Sequence, residues 1–111
     1  MTSQAAATEA TVSAGLSEAQ RFEAKLGTKQ FLVTMEGNPP KGVDLAEILA
    51  AVDRVRGLVD AINVTDGSGA IMRACPLAVA KRVLDTGIDP VLQLTCRDRN
   101  RLALQGDILG A

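Results

Sequence analysis

The 111-residue sequence predicts an α/β fold: three successive parallel βα units, the opening part of a (β/α)8 TIM barrel, preceded by a short helix. Three observations lead there. Short apolar runs begin near residues 31, 61 and 90, a repeat of 30 and then 29 residues. That is close to one unit of an eight-unit barrel of about 250 residues. Each run breaks into a polar or glycine-rich turn and then a stretch of helical periodicity, the order that parallel strands with right-handed crossovers require. The apolar residues are also almost wholly aliphatic, with two Phe and no Trp or Tyr. The core must therefore be built from Leu, Val, Ile, Ala and Met.

Ten of the first fourteen residues are Ala, Thr or Ser. Such a segment buries too little apolar surface to offset its ordering entropy, so residues 1–16 are expected to be a disordered tail ahead of a folded part, 17–111. Ser17 with Gln20 has the form of a capping box. Ala19, Phe22 and Leu26 then share a helical face, and Gly27 suits the position after the helix. The first strand is expected over Phe31–Glu36, ending on a carboxylate and the stiff turn Gly37-Asn38-Pro39-Pro40-Lys41-Gly42. Asp44 and Glu47 open a helix whose buried stripe is Leu45, Ile48, Leu49, Val52 and Val55, closed by Gly57.

The second strand is Ala61–Val64, with the loop Thr65–Ala70 behind it. Pro76 starts the next helix, which carries Leu77, Val79, Ala80, Val83 and Leu84 and ends at Gly87. The third strand is expected over Val91–Leu94. It breaks at Thr95-Cys96, passes the charged turn Arg97-Asp98-Arg99-Asn100-Arg101, and continues as a helix to Ala111. Three units are less than half of a barrel, and five more need on the order of 150 residues. The chain is expected to be an incomplete barrel.

Composition narrows the function. A net charge of −1 implies no field-driven attraction to nucleic acid or membrane, and the scarcity of aromatics removes stacking platforms for single strands. With no histidine there is no Ser-His-Asp triad, no Cys-His dyad and no histidine metal ligand. Cys75 and Cys96 are not spaced as CxxC and do not make a zinc site alone, so no metal is expected. They are read as small, semi-buried thiols in a reducing cytosol, with a single disulfide as the alternative. No signal-peptide pattern opens the sequence and no segment approaches the roughly 20 apolar residues of a membrane span. A cytoplasmic protein is expected.

In barrels, ligands sit at the turns that follow the strands. Taken from the residues alone, Glu36 is a solvated strand-end carboxylate paired with Lys41. A carboxyl partly desolvated by the neighbouring prolines could instead serve as an acid. Thr65, Asp66, Gly67 and Ser68 form either an ordinary flexible turn or a place where a planar ring approaches the backbone. Gln93 is a polar residue pointing into a barrel interior. Arg97, Arg99 and Arg101 precede or open a helix, where the dipole disfavours positive charge. They call for ion pairs, as with Asp98, or for an anionic ligand. Cys96 has no base in evidence to activate it and reads as a packed residue.

Together, three loops resemble the methylenetetrahydrofolate reductase family, flavin-dependent barrel enzymes of one-carbon metabolism. Glu36 with Pro39-Pro40-Lys41-Gly42 is similar to the family's "E..PPKG" ending of strand one, and Val64-Thr65-Asp66-Gly67 to its "VT.G" turn. Leu94-Thr95-Cys96-Arg97-Asp98-Arg99-Asn100, with the helix to Leu109-Gly110-Ala111, resembles its "LTCRDRN…LLGA" signature, the long and specific motif of the three. The resemblance runs from about residue 20 to the end.

It implies that NAD(P)H reduces FAD, and that a hydride then reaches 5,10-methylenetetrahydrofolate, giving 5-methyltetrahydrofolate for methionine biosynthesis. Glu36 matches the family's proton donor; Thr65, Asp66, Gly67 and Ser68 match the turn against flavin and nicotinamide. Gln93 stands where some relatives have a flavin-contacting histidine. The resemblance also implies that a strand-four acidic residue and most of the FAD-, nicotinamide- and pterin-holding residues lie beyond residue 111. The isolated chain is therefore expected to be marginal, oligomeric or aggregation-prone, and inactive without a complementing chain. Two alternatives stand beside the reductase. One is a non-catalytic half-barrel binding or regulatory module that needs a partner chain or a second copy. The other is a different pterin-handling barrel, such as a methyltransferase. The strand-three signature favours the reductase.

Overall fold

The computed structural model describes residues 21–111; the expected tail, Ala19 and the Ser17–Gln20 capping box lie outside the described residues. The elements are α1 (Phe22–Leu26), β1 (Thr34–Gly37), α2 (Ala46–Arg54), β2 (Ala61–Val64), a 3-10 turn (Ser68–Ala70), α3 (Pro76–Asp85), β3 (Pro90–Leu92) and α4 (Arg101–Gly110). The strands form one parallel sheet in the order β1-β2-β3, with α2 and α3 as crossovers between neighbours. This is the alternating βα order that the 30-residue repeat predicts.

β2 is the centre because it is paired on both sides and its apolar positions alternate. Ile62 and Val64, with Met35 from β1 and Leu92 from β3, meet Val52 of α2 and Val79, Ala80 and Val83 of α3; Ile88 closes the cluster. Ile62, Val64, Val52 and Val83 are fully buried. Burial of each such side chain contributes roughly 1.5–3 kcal/mol relative to exposure. The helical stripes read from the sequence are the ones that face the sheet, with Leu45, Ile48, Leu49 and Val55 packed around the margin.

The boundaries differ from expectation for identifiable reasons. β1 begins at Thr34, not Phe31, because β2 lies alongside only from the Thr34–Ala61 pair onward. Phe31 is 92% exposed. β3 takes in Pro90 and stops at Leu92, a placement proline tolerates because β3 is an edge strand. α2 starts at Ala46, whose N–H donates to Asp44 Oδ1 at 2.9 Å. The Asp44 side chain reaches only two residues ahead, so Glu47 does not complete a capping box. Pro76 opens α3 as predicted, and Gly57 and Gly87 follow α2 and α3 at φ +80° and +88°. Gly27 instead has φ −80°, where any residue fits.

α1 was expected to seat by an apolar face, yet it buries no residue. Polar contacts to the aspartates that begin β2 and β3 hold it: Lys25 Nζ lies 2.8 Å from Asp60, and the Phe22 N–H donates to Asp89 at 2.7 Å. It therefore lies at the N-terminal ends of these strands, opposite the turns where ligands are sought. α4 is capped by Asn100, whose side chain accepts the Ala103 N–H at 2.9 Å. It too buries no residue, and Leu102, Ile108 and Leu109 are 73%, 58% and 87% exposed. Among the described residues, β1 and β3 each keep one unpaired edge. Cys75 and Cys96 are both free and exposed, not semi-buried. No helix among the described residues is long and apolar enough to cross a membrane.

Candidate functional site

With Met35, Ile62, Val64 and Leu92 turned to the helices, the alternate positions occupy the other face of the sheet. The register sets Glu36, Asn63 and Val91 level across the three strands. Extending it by one residue brings Asn38, Thr65 and Gln93 level. The backbone ladder supports this, since the Thr65 N–H donates to Gly37 O and the Gln93 N–H to Val64 O, both at 3.2 Å. Glu36, Thr65 and Gln93, picked out separately in the sequence, thus stand at the C-terminal ends of three adjacent strands.

The side chains differ in how free they are. Glu36 is exposed, and among the described residues neither Lys41 nor any other cation forms an ion pair with it. The prolines do not lid it: Pro39 is fully buried, and the Pro39 and Pro40 carbonyls accept from Arg73 Nη1 (3.0 Å) and the Ala74 N–H (2.8 Å). Both prolines are drawn down beside the segment leading into α3 and do not cover the carboxylate. Glu36 borders a cleft of about 360 Å³ shared with Asn38, Glu47 and Arg54. A larger groove of about 510 Å³ lies on the helix side between α3, β3 and the end of α4, lined mainly by Leu77, Ala80, Leu84, Pro90 and Leu92. Its lining is nearly all aliphatic, and it is not where the polar strand ends converge.

Thr65 is buried, and its Oγ1 donates to Asn38 Oδ1 at 2.6 Å. Asn63 Nδ2 donates to Thr34 Oγ1 at 3.0 Å. Sequence reasoning missed both asparagines. Asn63 carried a signal, a polar residue at the alternate position between Ile62 and Val64; Asn38 carried only its place between a strand end and a proline pair. Gly67 has φ +54° and Gly69 φ +72°, so the chain after Thr65 uses the left-handed region that favours glycine. Ser68 and Gly69 are exposed, leaving this turn open for a flat group to approach. Gln93 is exposed, with an amide that both donates and accepts.

Asp66 is engaged from within. Its Oδ2 accepts the Thr95 N–H at 2.8 Å and an ion-paired hydrogen bond from Arg99 Nη1. Burial pushes this carboxyl up, but the Arg99 hydrogen bond and the Thr95 N–H outweigh it and hold Asp66 below the usual carboxylate range. The same pairing holds the Arg99 guanidinium more firmly charged than usual. Arg97 donates to Asp98 and, from Nη2, to Gly67 O at 2.9 Å. Arg97 and Arg99 therefore answer to internal acceptors, the salt-bridged rim foreseen as one reading of this turn. Among the described residues no group of acidic or cysteine side chains is arranged to hold a metal.

These strand ends carry the three sequence motifs in one place, and the family model for methylenetetrahydrofolate reductase matches residues 21–111. The chain belongs to that family. Its three-stranded parallel sheet in βα order is part of the (β/α)8 barrel on which methylenetetrahydrofolate reductases are built. No curated protein and no solved structure matches the chain.

Proposed function

We propose that the chain serves a flavin-dependent reductase that converts 5,10-methylenetetrahydrofolate to 5-methyltetrahydrofolate at the expense of NAD(P)H. The observation that carries this reading is that Glu36, Thr65 and Gln93 stand on one face of the sheet at three adjacent strand ends, Glu36 two positions before the level of Thr65 and Gln93, within a chain of this family. FAD, when bound, supplies the relay that accepts a hydride from NAD(P)H and passes it to the folate's one-carbon bridge. The residues suit a flat ring system: the Gly67-Ser68-Gly69 turn offers backbone without side-chain bulk, and Gln93 offers a donor and an acceptor. Thr65, its hydroxyl proton committed to Asn38, can accept a hydrogen bond. Asp66 shapes the turn. Glu36 donates a proton to the nitrogen that leaves the bridging carbon as the hydride arrives, so the ring opens without a stranded anion.

The test is gel filtration of the full chain with added FAD, reading flavin absorbance in the protein peak. Flavin co-eluting in stoichiometric amount supports the reading and means that copies of the chain assemble a site; colourless protein refutes flavin binding by this chain alone. In preparations that reduce the folate, Glu36→Gln should keep the flavin and lose turnover. A second reading has its own observation. The unpaired edges of β1 and β3 and the bare apolar side chains of α4 fit a non-catalytic half-barrel that pairs with a partner chain or a second copy. It requires a colourless, well-defined oligomer or heteromeric complex.

A further inference from the structure

Arg99 touches three separate parts of the molecule with one guanidinium. Nη1 reaches the Asp66 carboxylate in the turn after β2 and the Thr95 carbonyl, at 2.9 Å, in the turn after β3; Nε reaches Asp107 Oδ2 in α4 at 2.8 Å. The Arg99 and Asp66 side chains are only 14% and 11% exposed. The Thr95 N–H returns to the same Asp66 oxygen, closing a small ring of hydrogen bonds. A planar fork of this kind fixes direction as well as distance, which a lysine ammonium does not. Little else fastens α4, since it buries no residue.

We propose that Arg99 is a positioning residue: it sets the geometry of the Thr65–Ser68 turn by tying Asp66 to Thr95 and to Asp107, so that the seating of α4 and the shape of the turn are coupled. The assignment rests on the reading of that turn as a flavin-side surface. Asp107 itself does not approach the turn; its influence passes through Arg99. Arg97 adds a second hold at the Gly67 carbonyl, but it grips only one side and leaves α4 free.

The experiment uses the full chain labelled with ¹⁵N, as wild type, Arg99→Lys, Asp107→Ala and the double variant. It reads the Gly67, Ser68 and Thr95 amide resonances, the melting temperature, and FAD affinity from quenching of flavin fluorescence. Arg99→Lys should move all three amides and weaken FAD binding about tenfold or more, because small misplacements of a positioning surface cost at least that much, with little change in melting temperature. Asp107→Ala should move the Gly67 amide in the wild-type background and leave it unmoved in the Arg99→Lys background. Unmoved amides overturn the proposal, as do moved amides with unchanged affinity in a chain that binds flavin. If the wild type binds no FAD, the flavin reading fails, and the positioning role stands or falls on the amides alone. If Arg99→Lys does not fold, Asp107→Ala decides on the same readouts.

Discussion

Gly37 and Ile62 form a pair whose coupling can be worked out before it is measured. Ile62 is fully buried at the centre of β2. A Cβ placed on Gly37 would stand 3.0 Å from Ile62 Cγ2 and 3.5 Å from Ile48 Cδ1. Ile62→Ala removes three carbons, roughly 2.4 kcal/mol at about 0.8 kcal/mol each. The cavity left behind brings the expected loss to about 3–5 kcal/mol. Gly37→Ala alone overpacks the site, at about 1–3 kcal/mol, less about 0.4–1 kcal/mol from the stiffer unfolded chain. In the Ile62→Ala background the obstructing methyl is gone. The new methyl then fills space, and Gly37→Ala should stabilise by about 1 kcal/mol.

The sign of one substitution therefore reverses with the other, giving a coupling near 2 kcal/mol, within the range for residues in contact. Urea denaturation of the four proteins, with m-values compared, measures it directly. Additivity within about 0.5 kcal/mol would refute the packing derived for this strand end.

Four further outcomes follow from particular positions. Asn100→Ala should cost α4 about 1 kcal/mol, seen as faster amide exchange at Ala103 and its neighbours with the sheet unaffected. Gly57→Ala should cost about 1 kcal/mol for its left-handed backbone, having open space around the new methyl. Gly67→Ala should cost more, because its Cβ would stand 3.0 Å from Arg97 Nη2 and displace the contact to the Gly67 carbonyl; equal losses in urea would sink that argument. Asp60, through the Lys25 hydrogen bond and the Val33 N–H, and Asp66, through Arg99 and Thr95 acting against burial, are both held below the ordinary carboxylate range. Their contribution is present above the unfolded value, near pH 4, and is lost as pH falls through the lower folded values. Denaturation midpoints should therefore drop below about pH 4, and a double Asp60→Asn, Asp66→Asn variant should flatten that drop.

The repeat and the stripes were legible because they depend on local periodicity. Val52, Val79, Ala80 and Val83 face the sheet as helical spacing requires, and Pro76 opens its helix for the reason proline usually does. The motif residues were legible as positions: Glu36, Thr65 and Gln93 do end three neighbouring strands. What stayed hidden depends on partners far along the chain. Where β1 begins is decided by β2, so Phe31 looked like strand and is solvent-exposed. Asp66 read as one residue of an open turn, and only Arg99, 33 residues later, shows where its carboxylate is engaged. α1 looked amphipathic, and only Asp60 and Asp89 reveal that it is held by charge and hydrogen bonds.

That attachment of α1 has a consequence for the order in which the molecule is made. Its anchors lie 35 and 67 residues downstream, at Asp60 and Asp89. Nearly doubling the separation adds only about 0.6 kcal/mol of closure entropy, so distance is no thermodynamic obstacle; timing is. On the ribosome α1 emerges ahead of the three described strands, yet its first anchor is missing until β2 begins and its second until β3 begins. Among the described elements the earliest synthesised is thus secured only late, and its full seating marks the moment when the third strand has arrived.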